Sequence, residues 1–241
     1  MIEKRKIDIE GERVFENLKV TENVRSSQDK FYWATHLGIE SHNKKTIEYI
    51  SNKVILEIGC SSGNHSHHYV EASDFFYGCD LSDKAIEIAK SKKMKNANFI
   101  CCDAHLLPYS DNMFDCVIVN SLLHHLDLKI SLAEIKRVLK KDGYLIFREP
   151  LALNPLFYLY RLLTPSARTP DEEPFSINDL KELEILFEKK EISYFGFINL
   201  ISAFIRLEKL RFILTKIDKL LSKTLLKYLY WQISGVLQVK D

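Results

Sequence analysis

Residues that break or staple a chain are scarce in this sequence: 241 residues include only 8 Gly, 6 Pro and 5 Cys. So little glycine and proline excludes collagen-like and low-complexity chains, and 46% apolar against 28% charged residues excludes a disordered one. An excess of one charge is also missing, since 34 Lys and Arg face 33 Asp and Glu. Attraction of the whole molecule to a phosphate backbone then has no basis, and no nucleic-acid partner is expected. In the second half the longest charge-free stretch, residues 192–205, has 14 residues including Ser, Asn and Gly, short of the ~18 that cross a bilayer.

The opening Met-Ile-Glu-Lys-Arg-Lys is charged and no apolar run follows, so neither a signal nor a transit peptide is legible and a cytoplasmic location is expected. Cys60, Cys79, Cys101, Cys102 and Cys116 are odd in number and lack C-x-x-C spacing. Reduced thiols acting as small buried apolar residues are expected, and no metal site. His65, His67 and His68 read as a polar helix face and not as a metal site.

A chain of this length suits one domain. Residues 1–50 read as partly helical, with a polar joint at Ser26-Ser27-Gln28 and an aromatic trio Phe31-Tyr32-Trp33, a segment suited to covering a pocket. From Lys53 short apolar runs alternate with amphipathic helices, the signature of βαβ units. Strands are expected at 54–58, 75–79, 98–101, 116–120 and 144–148, and their nearly continuous apolar character fits a parallel sheet covered on both faces. Helical periodicity marks 64–73, 82–95, 129–141 and 179–190, and Lys141-Asp142-Gly143 reads as a turn into the fifth strand. Residues 150–175 hold five of the six prolines and read as a loop broken by a short helix, on the acceptor side. Residues 191–199 and 230–240 read as a final hairpin, split by a helical insertion at about 200–229.

The chemistry is concentrated at strand ends. Val54-Ile-Leu-Glu-Ile-Gly-Cys-Ser-Ser-Gly-Asn is a buried strand entering a glycine turn and then a helix, at the carboxyl edge where open α/β sheets bind ligands. Gly59 and Gly63 permit sharp turns and close approach. The dinucleotide fingerprint would need glycines where Ser61 and Asn64 stand, and a phosphate loop would need Lys after Gly63. Glu57 would repel a pyrophosphate and attract a cation. Asp80, 21 residues after Gly59, ends the second strand and can accept from both ribose hydroxyls. Asp103 follows the third strand and can accept the amine of an adenine. These three anchors describe one adenosine.

The motifs Leu56-Glu-Ile-Gly-Cys-Ser-Ser-Gly, Gly78-Cys-Asp-Leu-Ser, Cys102-Asp-Ala-His-Leu-Leu-Pro-Tyr, Phe114-Asp-Cys-Val-Ile-Val, Leu122-Leu-His-His-Leu and Glu134-Ile-Lys-Arg-Val-Leu-Lys-Lys-Asp-Gly-Tyr-Leu follow one another in order. Together they make the chain resemble the class I S-adenosylmethionine-dependent methyltransferases, specifically those acting on small molecules. The resemblance covers residues 50 to 150 and departs at Ser61, where the family more often has glycine. It implies a doubly wound, Rossmann-like sheet of seven strands, the last antiparallel. It places Gly59, Cys60, Ser61 and Gly63 along the methionine part of the cofactor, Asp80 at the ribose, Leu81 and Ala104 at the adenine faces and Asp103 at its amine. Asn120 and Ser121 fall beside the methionine end and the acceptor.

A sulfonium methyl is already activated, so such an enzyme mainly aligns the nucleophile and excludes water. A hydroxyl acceptor must lose a proton, and His124 or His125, just after the fourth strand, suits that task. Tyr32, Arg148, Glu149 and Arg168 are expected to meet a small-molecule or lipid-linked acceptor. Lys209, Lys216 and Lys223 recur every seven residues beside aliphatics, and residues 201–241 carry 8 basic against 3 acidic residues, so 201–228 reads as a basic amphipathic stretch able to touch a membrane. DNA-amine methylation is disfavoured, because Asn120-Ser-Leu-Leu lacks the Asn-Pro-Pro-aromatic run that holds a flipped base. A NAD(P)-dependent oxidoreductase and a non-catalytic nucleoside-binding assembly protein remain open alternatives.

Overall fold

The computed structural model describes residues 8–22, 29–163, 174–205 and 207–240. Seven strands, β1 (Val54–Ile58), β2 (Phe75–Asp80), β3 (Ala97–Cys101), β4 (Phe114–Asn120), β5 (Leu139–Pro150), β6 (Phe187–Phe195) and β7 (Gln232–Val239), form one sheet in the order β3-β2-β1-β4-β5-β7-β6. Neighbours from β3 to β5 run parallel, while β7 is antiparallel to both β5 and β6. The expected doubly wound architecture and reversed last strand are present.

Helices α1 (Ile9–Glu22), α2 (Asp29–Ile50), α3 (His67–Ala72), α4 (Asp83–Ser91), α5 (Leu128–Val138), α6 (Pro155–Leu163), α7 (Ile177–Leu186) and α8 (Glu208–Leu221) complete the described regular structure, with short 3-10 turns. None of them is long and apolar enough to cross a membrane. Alternate strand residues feed two cores. Ile55, Ile118 and Ile146 pack with Ile50, Val70 and Ile86, whereas Leu56, Val117 and Leu145 pack with Leu132, Ile135 and Leu183. Each fully buried aliphatic contributes about 1.5–3 kcal/mol, so these two layers clamp the strands whose ends carry the anchors.

Several details differ from expectation. The fifth strand starts at Leu139 instead of Tyr144: its pairing jumps from Phe114↔Leu139 to Cys116↔Tyr144, so the turn-like residues 140–143 are a bulge within a strand. The helix expected to reach Lys190 ends at Leu186 and β6 begins at once, because a register shift between Lys189 and Glu191 erases the strand's alternation. The insertion is not one helix but α8 between the 3-10 segments Ile198–Ala203 and Leu225–Leu229. Cys60, Cys79 and Cys116 are buried as expected, but Cys101 is exposed. The joint at residues 26–28 lies outside the described residues.

Candidate functional site

Strand register sets the site. Ile58 pairs with Cys79 and Val119, Asp80 with Cys101, and Asn120 with Arg148, so the tips of β1 to β5 end in one row. At about 4.8 Å between strands the row spans about 19 Å. Its centre, between β1 and β4, is where the strand order reverses, the place where open α/β sheets leave a crevice.

The glycine turn is tied down from the neighbouring strand. The N–H groups of Gly59 and Cys60 donate to the Cys79 carbonyl at 2.8 and 3.0 Å. Ser61 N–H donates to Asp80 Oδ2 at 2.7 Å and Ser82 N–H to Asp80 Oδ1 at 2.9 Å. Asp80 therefore organises the turn while one lone pair on each oxygen stays available; burial pushes its pKa up, opposed by these two amides. Gly59 and Gly63 have φ of +77° and +67°, and a Cβ on Gly59 would lie 2.9 Å from Leu122 Cδ2. Ser61, where the family has glycine, takes the glycine conformation anyway at φ +48°, and Ser121 at the tip of β4 does so at +55°. Most other left-handed non-glycine residues are Asn, which tolerates that region, so these serines mark backbone held against its preference at the crevice.

Glu57 lies beneath the turn, 5% exposed, and accepts from Ser66 Oγ at 2.5 Å. Burial raises its pKa to about 7, with the Ser66 bond opposing and Asp80 adding. Asp103 accepts through Oδ1 from the His105 N–H (2.9 Å) and Nδ1 (2.6 Å), and His105 Nε2 accepts from Asp127 N–H at 2.9 Å. This fixes the neutral His105 tautomer and turns Asp103 Oδ2 free of protein donors among the described residues. Ala104 is buried beside it, and the Leu81 carbonyl accepts from the Cys101 thiol at 3.4 Å.

After β4, His124 and His125 sit on a 3-10 turn (Leu123–His125) with rings 4.2 Å apart. Glu149 holds this turn: Oε1 accepts from Leu122 and Leu123 N–H at 2.9 and 2.8 Å, and Oε2 lies 2.6 Å from His124 Nδ1. Glu149, expected at the acceptor, is fully buried and directs both oxygens to this turn. With Nδ1 protonated toward Glu149, the lone pair of His124 is on Nε2. His125 Nδ1 lies 3.0 Å from Glu12 of α1.

Within the 1–50 segment expected to cover a pocket, sequence reasoning named no contact residue of α1. Besides Glu12, its Asn17 accepts from Ser82 Oγ at 2.5 Å and donates to Asp83 at 2.9 Å, which carries the helix across the crevice. It also missed His42, whose Nε2 lies 3.0 Å from Asn120 Oδ1; burial first and Arg148 second lower its pKa to about 3. Glu134 and Arg137 of α5 were missed as well: they bind Leu107 N–H and the Leu107 and Tyr109 carbonyls, fastening the loop after β3. Local spacing does not announce these contacts, because each of these partners is at least 27 residues distant. Tyr32 is directed to Trp231, ring centroids 5.8 Å apart, and Trp33 lies under Arg211 at 4.6 Å, so these two aromatics pack on the β7 side. Arg148 donates Nη1 to Gln232 at 3.3 Å, and its Nε is buried without a partner among the described residues. Arg168 lies outside the described residues. His65, His67 and His68 are exposed.

This sheet has the order and strand directions of the class I methyltransferase fold. The methyltransferase domain family matches residues 56–147. A SAM-dependent methyltransferase from Aquifex aeolicus has the same fold, with TM-score 0.59 and 15% identity over 98% of this chain and 100% of that one. An uncharacterized protein of Methanocaldococcus jannaschii is 31% identical over 52% of this chain and 48% of its own length. A ubiquinone biosynthesis O-methyltransferase of Nitrosomonas europaea is 29% identical over 47% and 50%. The chain spans less than two thirds of the length of the first curated relatives it matches. Residues 56–147 carry a match to a methyltransferase domain, and the fold around them is shared with an enzyme that uses S-adenosylmethionine. The residues fit that cofactor: a cradle without Cβ atoms at Gly59 and Gly63, a carboxylate at Asp80 and an open acceptor oxygen at Asp103.

Proposed function

We propose that this protein transfers a methyl group from S-adenosylmethionine to oxygen of a small-molecule or lipid- or glycan-linked acceptor. The observation that carries the reading is Asp80, half-buried at the tip of β2 and bonded to the amide of the glycine turn beside it. The cofactor supplies a sulfonium methyl activated for in-line displacement. Gly59, Cys60, Ser61 and Gly63 seat its methionine end with Asn120 and Ser121; Asp80 takes the ribose, Leu81 and Ala104 the adenine faces, and Asp103 Oδ2 the adenine amine. Ionised Glu57 adds a favourable negative charge behind the turn. Residues 1–50 serve as a lid, with α1 excluding water through its Glu12 and Asn17 contacts.

His124 is the base that takes the acceptor hydroxyl proton, with Glu149 holding its imidazole in place through Nδ1. His125 instead fastens α1. Tyr32, Arg148 and Arg168 meet the acceptor, and the unpartnered Nε of Arg148 favours one with an oxygen acceptor group.

Calorimetry with S-adenosylhomocysteine and with NAD tests the cofactor. Binding of the first only is expected, and Asp80→Ala should weaken it about tenfold or more, since a charge-assisted hydrogen bond is worth ~1.5–3 kcal/mol. Binding of NAD alone would select the oxidoreductase reading. An S-adenosylhomocysteine-release screen over sugars, lipids and quinones then tests turnover, where His124→Gln should slow kcat about 10²-fold or more. Cofactor binding with no turnover on any acceptor would favour an assembly role.

A further inference from the structure

Helix α8 turns three polar residues, Arg211, Thr215 and Asp218, inward. Asp218 is 2% exposed and accepts from the N–H groups of Phe197 and Ile198 at 3.0 and 2.8 Å, closing the turn between β6 and the insertion. Arg211 donates to the Trp33 carbonyl at 3.1 Å, and Thr215 shares this inner face. Meeting these backbone demands rotates the helix so that apolar side chains point outward. Phe212, Ile213 and Leu220 are 54%, 54% and 68% exposed, and nearby Phe204, Leu207 and Leu225 reach 65%, 60% and 83%. Large apolar side chains exposed singly are ordinary, but eight within residues 204–225, Ile205 and Ile217 included, are not.

Cations border this face. Lys209, Lys216, Lys219 and Lys223 are exposed, and none of them pairs with a carboxylate among the described residues. The Lys216 ammonium lies 4.3 Å over the Phe212 ring. The one acidic residue of the helix besides buried Asp218 is Glu208, which is paired with Arg211.

We infer that the α8 face docks on an anionic lipid bilayer. Apolar side chains enter the acyl boundary while the lysines meet acidic headgroups, the arrangement of an interfacial helix. A second copy of this chain fits less well, because a two-fold interface would set these unpaired lysines against one another. The face lies on the same side of the molecule as Trp33, which Arg211 covers, and so close to the segment that carries Tyr32. The docking goes beyond methyl transfer and is tested without turnover.

The test is flotation of the full chain with phosphatidylcholine vesicles, with and without phosphatidylglycerol. Flotation with the anionic vesicles and its decline with added salt are expected. The doubles Phe212→Ser with Leu220→Ser, and Lys216→Glu with Lys219→Glu, should each lower the bound fraction about tenfold at unchanged melting temperature. Lys90→Glu with Lys95→Glu, exposed on and just beyond α4, should leave it unchanged. The inference is overturned by no flotation, by equal flotation with both vesicles, or by equal loss in the α4 control. It is overturned too if sedimentation finds a dimer that Phe212→Ser with Leu220→Ser disperses while no vesicle binds.

Discussion

Replacing Glu57 by Gln should make the protein more stable at pH 8 and leave it nearly unchanged at pH 4.5. The carboxyl is 5% exposed and its one hydrogen-bond donor is Ser66 Oγ, which Gln can also satisfy through its carbonyl. Burial moves the pKa from 4.5 to about 7. The folded protein thus holds this proton more tightly than the unfolded chain. Its contribution is complete below 4.5 and is lost as pH rises through 7, a swing of about 3 kcal/mol. Urea unfolding of both proteins at several pH values measures it. With a slope of about 2–3 kcal/mol/M, the midpoint of Glu57→Gln should exceed wild type by about 1 M above pH 7 and converge with it below 4.5. Taking the difference between the two proteins removes His42, which titrates in the opposite sense: its pKa falls from 6.5 to about 3, so its contribution is present above 6.5 and is lost as pH drops toward 3. A constant midpoint difference across pH, or a less stable Gln variant at pH 8, would refute the reasoning.

Three further outcomes follow from the same geometry. Glu149→Ala strips the acceptor from two buried amides and from His124, and should cost about 3–5 kcal/mol in chemical denaturation. Ser61→Gly relieves a left-handed serine at a cost in unfolded-chain entropy, for a net gain of about 0.5–1 kcal/mol, seen as melting about 2–4 °C higher; lower melting would mean that the serine side chain has a role of its own. Arg137→Lys loses the fork that spans the Leu107 and Tyr109 carbonyls, so amide exchange in residues 103–111 should quicken about tenfold while exchange in β1 and β4 stays unchanged.

The sequence by itself determined the strand cores, the glycine turn and the carboxylates that follow β2 and β3. Both layers of this sheet are buried, so its strands are written as near-continuous apolar runs, and turn residues must stand where those runs end. The charged, bulged edge strand β6 was less legible, because one extra residue removes the alternation that identifies a strand. Tertiary structure alone decided which anchors are used and how. Glu149 reads locally as a polar residue at a strand tip, and only its register beside β4 turns it toward the amides of residues 122 and 123. Glu12 and Asn17 have no motif at all; they matter because α1 crosses the crevice. The direction of α8 was hidden as well: its hydrophobic pattern marks a helix with an apolar stripe, but three N-terminal partners of Asp218 on another segment set which side faces in. Periodicity is encoded within one segment, whereas the face a helix presents and the partner a carboxylate finds depend on residues that meet only after the chain has folded.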